Sequence, residues 1–235
     1  MARIPKPSGA KSSFGQPRNL SDSRKPTGSR TYQKQIVIVV EGTKTERLYF
    51  EALKRDFHIQ TVKVSIIDSH GKTAPPQIVD RAIGKREELK SRQEWEEDHD
   101  EIWCVFDTED GSNDTGLIDA YTRATTEKIS LAVSNPSFEY LYLLHYKDTD
   151  REFPNCDSLT SELRKYLKGY EKNIQIYSRI RKQLSDAFRN AHLVRTRNPT
   201  TWNSRMNPST GLMFWLRQRS EEPPSELQSR QVNSY

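Results

Sequence analysis

The amino-acid sequence predicts an α/β fold, in which a parallel β-sheet is covered by helices. Apolar segments of strand length alternate with helix-like segments along residues 35–146, and this alternation is typical of strands joined by crossover helices. The strand-like segments are rich in β-branched residues, whereas the helix-like segments repeat apolar residues three and four positions apart. From about residue 157 onward the pattern is mainly helical, so a helical C-terminal extension is expected.

Four strands are predicted, and a helix follows each of them. The strands are QIVIVV (35–40), TVKVSII (61–67), EIWCVFD (101–107) and ISLAVS (129–134). The helices that follow them are TERLYFEALKRDF (45–57), PPQIVDRAIGKREELK (75–90), LIDAYTRATTEK (117–128) and SFEYLYLLHY (137–146). The extension is predicted to contain three helices, SLTSELRKYLKGY (158–170), IQIYSRIRKQLSDAFRNAHLV (174–194) and PSTGLMFWLRQR (208–219).

The order of these elements predicts four regions. Residues 1–31 are rich in Pro, Gly, Ser, Lys and Arg, so they are predicted to form a disordered basic N-terminal arm. Such an arm either solubilises the chain or contacts nucleic acid. Residues 32–150 hold the α/β core, and residues 151–219 are predicted to form a helical part that packs on it. Residues 220–235 are predicted to be a polar tail.

The composition excludes some classes of protein. The 235-residue chain is 33% hydrophobic and 29% charged, and no apolar run approaches the roughly 18 to 20 residues of a membrane span. Its formal net charge of +5 suits a polyanionic partner. The N-terminus has no apolar signal core, and the two cysteines, Cys104 and Cys156, suggest no disulfide framework. A cytoplasmic protein with no membrane partner is therefore expected.

Acidic residues stand where three of the predicted strands end. Glu41 follows the first strand directly, and Glu46 lies at the start of the next helix. Asp107 ends the third strand, and Glu139 lies in the first turn of the helix after the fourth strand. Because the carboxyl ends of parallel strands lie at one edge of the sheet, these carboxylates are expected to converge there.

A cluster of carboxylates of this kind predicts a metal site. Clustered carboxylates repel one another and raise each other's pKa, and a divalent cation neutralises them. Hard oxygen ligands suit Mg²⁺ or Mn²⁺, and such an ion polarises phosphoryl oxygens and activates water. Each acid taken alone also has a structural explanation. Glu46, for example, lies near a helix N-terminus, where the helix dipole stabilises an acid by about 0.3–1 kcal/mol.

Four segments carry a resemblance to a known family. They are VEGTKTERLYFEALK (40–54), VFDTED (105–110), SNPSFEYLYLLHY (134–146) and, more weakly, NPSTGLMFWL (207–216). These segments resemble the RloB-like family, which belongs to the Toprim-like group. The resemblance is spread over most of residues 36–216 and implies a Toprim-like, Rossmannoid parallel sheet.

The resemblance also implies site residues and a partner. Toprim enzymes place a glutamate after the first strand as acid/base or metal ligand, and Glu41 matches it. They bind Mg²⁺ through a D-x-D motif after a later strand, and Asp107 matches the start of that motif. Position 109 departs from the motif, because Glu109 and then Asp110 stand there, and which of the two supplies the second ligand stays open. RloB-like proteins resemble the nuclease effectors that bacterial antiphage systems, including abortive-infection systems, pair with an AAA/ABC-type ATPase.

Basic residues are candidates for binding a polyanion. The loop SHGKT (69–73) is similar to the end of a P-loop, but Ile66 stands where that motif requires glycine, so ATP binding is not expected. Lys72 in this loop either contacts phosphate in support of the acidic edge or is a solvated lysine. The C-terminal helices interleave basic residues with tyrosines, which suits phosphate contacts and base stacking, or a solvated face above core tyrosines. The nucleic-acid-binding candidates are Arg179, Arg181, Lys182, Arg195 and Arg197.

These observations lead to three functional hypotheses. The first is a Mg²⁺-dependent nuclease, a phosphodiesterase acting on DNA or RNA, with Glu41 and Asp107 as catalytic residues. The second is a non-catalytic binding or regulatory subunit of an ATPase-containing defence complex, in which the acidic edge is structural. The third is a Toprim-type enzyme that acts on another phosphoester, such as a nucleotide.

Overall fold

The computed structural model describes most of the predicted α/β core and C-terminal helices. The described residues are 34–42, 44–56, 62–68, 74–108, 114–172, 174–197 and 209–211. Contacts divide the chain into two units, Met1–Tyr32 and Gln33–Tyr235, and the first unit lies outside the described residues. The predicted arm and polar tail therefore lie outside the described part of the chain, as do Lys72, Glu109 and Asp110.

A five-stranded sheet forms the centre of the second unit. Its strands are β1 (Lys34–Val40), β2 (Val62–Asp68), β3 (Glu101–Asp107), β4 (Ser130–Asn135) and β5 (Ser209–Thr210). Their order in the sheet is β2-β1-β3-β4-β5, and the first four strands run parallel. The chain moves outward from β1 to β2 and then returns to the other side of β1 with β3. The neighbouring carboxyl ends of β1 and β3 thus form the point at which the strand order reverses.

Helices connect the parallel strands and complete the described part of the chain. They are α1 (Thr45–Asp56), α2 (Pro75–Ser91), α3 (Asp114–Thr126), α4 (Glu139–Leu144), α5 (Cys156–Tyr166), α6 (Tyr177–Ile180) and α7 (Leu184–Arg197). Two prolines open α2, where a missing N–H costs nothing because the first turn of a helix leaves its N–H groups unpaired. A short 3₁₀ helix, Arg181–Gln183, separates α6 from α7. Every helix in the described ranges is too short or too polar to cross a membrane.

The sheet separates two hydrophobic cores. Alternate residues of β1 point to opposite faces, so Ile36 and Ile38 enter one core while Val37 and Val39 enter the other. The first core also contains buried residues of α1, α4, α5, α6 and α7. The second contains those of α2 and α3. All four of these β1 side chains are almost fully buried, which explains why the strand is apolar throughout rather than alternating.

The predicted fold class is confirmed, with two corrections in the C-terminal part. A parallel sheet is flanked by helices, and a helical segment follows it. The helix predicted over 174–194 is interrupted by the 3₁₀ helix, so its first half is only the single turn of α6.

The prediction of a helix over 208–219 is wrong for residues 209–211, which are the part of this range that the structure describes. Ser209 and Thr210 form a strand antiparallel to β4. Gly211 follows, and its N–H donates to the carbonyl oxygen of Val133 at 3.0 Å. A Cβ at this glycine would lie 3.0 Å from the Cα of Ala132, so the close approach to β4 favours glycine. Pairing with a strand some 76 residues earlier cannot be recognised from local periodicity.

Candidate functional site

The two predicted catalytic acids lie together at the reversal point of the sheet. Glu41 directly follows β1, and Asp107 is the last residue of β3. Ligands of open α/β sheets bind outside the carboxyl ends of the strands at such a point. The sequence placed both acids at one edge of a sheet, and the observed strand order makes them neighbours within that edge.

Hydrogen bonds hold Glu41 against the end of β3. Its backbone N–H donates to the carbonyl oxygen of Val105 at 2.9 Å, which extends the β1–β3 ladder by one residue. Its side-chain Oε2 accepts from the backbone N–H of Asp107 at 3.0 Å. The carboxylate of Glu41 is therefore fixed at the position from which the Asp107 side chain leaves the strand.

Glu46 reaches the same edge from the first turn of α1. Only 7% of this residue is exposed, although it is charged in water at neutral pH. Its carboxylate lies over Gly42, and a Cβ at position 42 would clash with its Oε2 atom. The glycine of the EGTKTE segment thus leaves room for the acid that ends the segment.

Glu139 completes the group of four acids, to which we refer as the acidic edge: Glu41, Glu46, Asp107 and Glu139. It is 3% exposed, in the first turn of α4. The hydroxyl of Ser137 donates to its Oε2 at 2.6 Å, and the hydroxyl of Tyr170 donates to its Oε1 at 2.9 Å. The Tyr170 contact ties the C-terminal helical part to the acidic edge.

The pKa of Asp107 is raised well above its usual value. Burial is the largest cause, and the negative charges of Glu46, Glu139 and Glu41 raise the pKa further. A hydrogen bond from the backbone of Phe138 opposes this shift. The Oδ1 atom of Asp107 is buried and has no hydrogen-bond partner among the described residues. A buried carboxylate oxygen without a partner is an uncommon feature of a folded protein, and such atoms occur at functional sites.

Glu46 also has a raised pKa, chiefly because it is buried. The charge of Glu139 raises it further, whereas a backbone hydrogen bond and the charge of Lys172 lower it. Both shifts show that the acids interact with one another as well as with their own surroundings. The folded chain thus brings Glu41, Glu46 and Glu139 close enough to act on Asp107.

Two residues near the acidic edge were not predicted as site residues. Lys172, in the connection between α5 and α6, is exposed and lies close enough to act on Glu46. Burial raises the pKa of the Cys156 thiol, at the start of α5. A hydrogen bond with Ser137 and the charge of Lys172 lower this pKa, whereas the charges of Asp107 and Glu139 raise it. Neither stands in a motif. Their position results from the packing of α5 beside α4, so no local sequence signal identifies them.

The acidic edge offers carboxylate oxygens to a divalent cation. Within the described residues, no group of three or more His, Cys, Asp and Glu side chains is close enough together to hold a metal ion. The predicted ligands Glu109 and Asp110 are not among those residues. The chemistry of the donors nevertheless fits Mg²⁺ or Mn²⁺, because they are hard oxygen atoms and the Oδ1 atom of Asp107 is buried without a partner.

The predicted nucleic-acid-binding residues lie on the surface of α6, α7 and the 3₁₀ helix between them. Arg181 forms an ion pair with Asp56 at 2.6 Å, and Arg197 pairs with Asp148 at 3.0 Å. Arg179 donates to the carbonyl oxygen of Lys168 at 2.7 Å. All five candidates, including Lys182 and Arg195, are exposed. The structure thus leaves them accessible but uses some of their charge within the chain.

The fold and the acidic edge define a Rossmann-like α/β protein with interacting carboxylates at the strand-order reversal. The RloB-like protein family model matches residues 36–216, and the chain belongs to the RloB-like family. No match was found among curated proteins, and none among solved structures.

Proposed function

We propose that this protein is a metal-dependent nucleic-acid phosphodiesterase. The observation that carries the proposal is the hydrogen-bonded pair of Glu41 and Asp107 at the reversal of the strand order, with two further buried acids acting on Asp107. Glu46 and Glu139 are buried, Glu41 and Asp107 are half-buried, and gathering four carboxylates in this way destabilises a fold unless the site serves a ligand. A divalent cation is the ligand that such a site accommodates best.

In the proposed mechanism, Glu41 and Asp107 hold Mg²⁺ or Mn²⁺, together with Glu109 or Asp110. When bound, the ion supplies polarisation of the phosphoryl oxygen and stabilises the charge that develops during displacement. Glu41 is the acid/base group, because its carboxylate is held in one orientation by the N–H of Asp107.

The neighbouring residues of the acidic edge have supporting roles in this proposal. Burial and the negative charges of Glu46 and Glu139 raise the pKa of Asp107, and the same charges would attract a cation to its carboxylate. Lys172 attracts a phosphate to the edge, since its ammonium group is exposed near Glu46. The exposed basic residues of α6 and α7 extend this attraction along the substrate.

Membership in the RloB-like family supports the biological part of the proposal. We place the protein in the cytoplasm of a bacterium as the nuclease effector of an antiphage, abortive-infection system. Its activity there is controlled by an AAA/ABC-type ATPase partner, as the family resemblance implies. Lys72, in the predicted loop after β2, contributes a phosphate contact in this scheme.

A cleavage assay tests the enzymatic part. Labelled RNA and DNA pools are incubated with the full-length chain, with Mg²⁺ or Mn²⁺ and with EDTA, in the presence and absence of the proposed ATPase partner. We expect cleavage that requires the metal and that falls at least about a hundred-fold in Glu41→Gln and in Asp107→Asn, because each removes a carboxylate from the reacting site.

Asp98→Asn is the matched control for these variants. Asp98 is an exposed acid in the connection before β3, so it lies at the amino-terminal ends of the strands, away from the acidic edge. Its replacement removes one charge without touching the acidic edge. Cleavage by Asp98→Asn should equal that of the wild type. Cleavage that survives in Asp107→Asn, or that continues in EDTA, would sink the proposal.

Two observations favour the second hypothesis, a non-catalytic binding subunit. The described residues contain no three-ligand group for a metal ion, and Glu109 departs from the D-x-D motif. If this hypothesis is correct, isothermal titration with Mn²⁺ gives no saturable binding. The ATPase complex then forms equally well with the wild type and with Asp107→Asn.

A further inference from the structure

Two tyrosines form a stacked pair on the surface of the C-terminal part. Tyr146 follows α4 and Tyr166 is the last residue of α5; their ring centroids are 5.8 Å apart and their planes differ by 19°. Tyr146 is half-buried and packs on the core beneath, whereas Tyr166 is 41% exposed. We refer to Tyr146 and Tyr166 as the tyrosine platform. Its outer ring is supported from below by another ring and is accessible from solvent.

The structure distinguishes this platform from the other tyrosines of the same region. Tyr170 and Tyr177 are almost fully buried and donate hydrogen bonds to Glu139 and Asp56. They belong to the core and cannot offer a ring face to a ligand. Of these three tyrosines of the C-terminal helices, Tyr166 is the one with an exposed ring.

Cationic groups surround the platform. The ammonium group of Lys147 lies close enough to interact with Tyr166, and the guanidinium group of Arg179 lies close enough to interact with Tyr146. Arg179 is held there by its bond to the carbonyl oxygen of Lys168, and Lys165 precedes Tyr166 in the chain. Glu162 accepts from Lys147 at 3.2 Å and from Lys165 at 2.6 Å, which leaves an excess of positive charge.

The platform lies within reach of the acidic edge. Helix α5 begins at Cys156 and ends at Tyr166. The thiol of Cys156 lies close enough to the acidic edge for the charges of Asp107 and Glu139 to raise its pKa. Ten residues of helix at about 1.5 Å each put Tyr166 roughly 15 Å along the helix from Cys156. A strand whose phosphate lies at the acidic edge would therefore reach the platform after a few nucleotides.

From this geometry we propose that Tyr166, supported by Tyr146, stacks on an unpaired base of a single-stranded nucleic acid, while Lys147, Lys165 and Arg179 contact its phosphates. This inference rests on the proposed function and deepens it by naming single-stranded nucleic acid as the substrate class. Bases in a duplex are stacked on their neighbours and present no free face to a protein side chain. Stacking on an aromatic ring beside cationic groups is the means by which proteins bind single strands without sequence preference.

Equilibrium binding tests this inference separately from cleavage. Fluorescein-labelled oligothymidylate and oligouridylate are titrated with the full-length chain in EDTA, and anisotropy reports the Kd. Tyr166→Ala should weaken binding at least about five-fold, the lower limit of what base stacking on an aromatic ring contributes. Tyr166→Phe keeps the ring and should stay within about two-fold of the wild type.

An abasic oligomer of the same length is the decisive ligand control. It keeps the phosphates but has no base to stack, so the wild type and Tyr166→Ala should bind it equally. Ile118→Ala is the matched protein control, because Ile118 is an exposed apolar side chain on α3, on the other face of the sheet. Its affinity for all oligomers should be that of the wild type.

Three outcomes would overturn the inference: equal binding of oligothymidylate by the wild type and Tyr166→Ala, an equal loss on the abasic oligomer, or duplex DNA bound as tightly as single strands. Failure of the proposed enzymatic function is distinguishable from these. In that case Tyr166-dependent binding persists, but neither the wild type nor the wild type with its ATPase cleaves the bound strand.

Discussion

Asp107 shows how far the chemistry of a residue depends on its surroundings. Its position at the end of a strand is visible in the sequence, but its raised pKa comes from burial and from three acids that two other segments of the chain contribute. A raised pKa in the folded state means that ionising this carboxyl costs more in the folded protein than in the unfolded chain. The acidic edge therefore lowers the free energy of unfolding, as functional sites commonly do.

The first prediction concerns the stability of Asp107→Asn. Below the unfolded pKa of about 3.9 both states hold the proton, and as pH rises from there through the folded pKa the native state binds more protons than the unfolded state. The stability of the wild type therefore falls as pH rises across this window. Asparagine has no proton to lose and escapes this loss, so Asp107→Asn should melt at least about 2 °C above the wild type at neutral pH.

The pH dependence provides the control for this prediction. The difference in Tm, measured by differential scanning fluorimetry, should disappear below about pH 3, where the wild-type carboxyl is protonated in both states. Asp98→Asn should show no gain at neutral pH, because Asp98 is exposed. A lower Tm of Asp107→Asn at neutral pH would contradict the explanation.

At the scale of the element, α5 is important because it connects the acidic edge to the tyrosine platform. Its N-terminus is closed by a capping box, in which the Oδ1 of Asn155 accepts from the N–H of Ser158 at 2.9 Å and the Ser158 hydroxyl faces the Asn155 N–H at 3.4 Å. The buried side of the helix, with Leu159 and Leu163, packs in the first core beside α4. Capping and packing together set where the helix begins and which face it exposes.

The second prediction follows from this cap. Asn155→Ala removes the acceptor and should lower the free energy of unfolding by about 1 kcal/mol, which urea denaturation measures through the shift of the midpoint. Asn155→Asp keeps an acceptor oxygen near the helix N-terminus and should retain wild-type stability. Equal losses in the two variants would mean that the cap does not stabilise the helix.

At the scale of the whole molecule, charge is distributed unevenly around the sheet. The chain carries a net charge of +5, yet four acids gather at one edge. The basic residues of α6 and α7 lie on the surface, where some are partly neutralised by acids from other elements. Arg181, for example, pairs with Asp56 of α1, whereas its neighbour Lys182 is exposed and has no ion pair to a described residue.

The third prediction uses these two neighbours as a matched pair. Lys182→Gln should weaken binding of a single-stranded oligonucleotide and reduce the slope of log K against log[salt] by roughly 0.7, the value for one lost phosphate contact on a single strand. Arg181→Gln should reduce the slope less, because its guanidinium group is already bonded to Asp56. Titrations at several salt concentrations measure both slopes. The free energy of unfolding of each variant should differ from that of the wild type by less than about 1 kcal/mol. An unchanged slope for Lys182→Gln would remove this residue from the binding surface.

Much of the fold was predictable because the relevant signals are local. The apolar run Ile36–Val40 and the strands that follow it show short β-branched segments, and the helices between them show apolar residues at helical spacing. Parallel strands require crossover helices, so this alternation determines the fold class. The same reasoning places Glu41 and Asp107 at one edge, and the motifs around them identify the family.

The tertiary structure decided what depends on contacts between distant parts of the chain. The strand order makes Glu41 a neighbour of Asp107, and packing of α5 beside α4 brings Lys172 and Tyr170 to the acidic edge. It also buries Tyr170 while leaving Tyr166 exposed, although both belong to the same basic segment. The sequence by itself determined the elements and the chemical types at their ends, because periodicity and turn chemistry act over a few residues. Only the folded chain decided which of those residues share a site, because burial and charge interactions are set by neighbours in space.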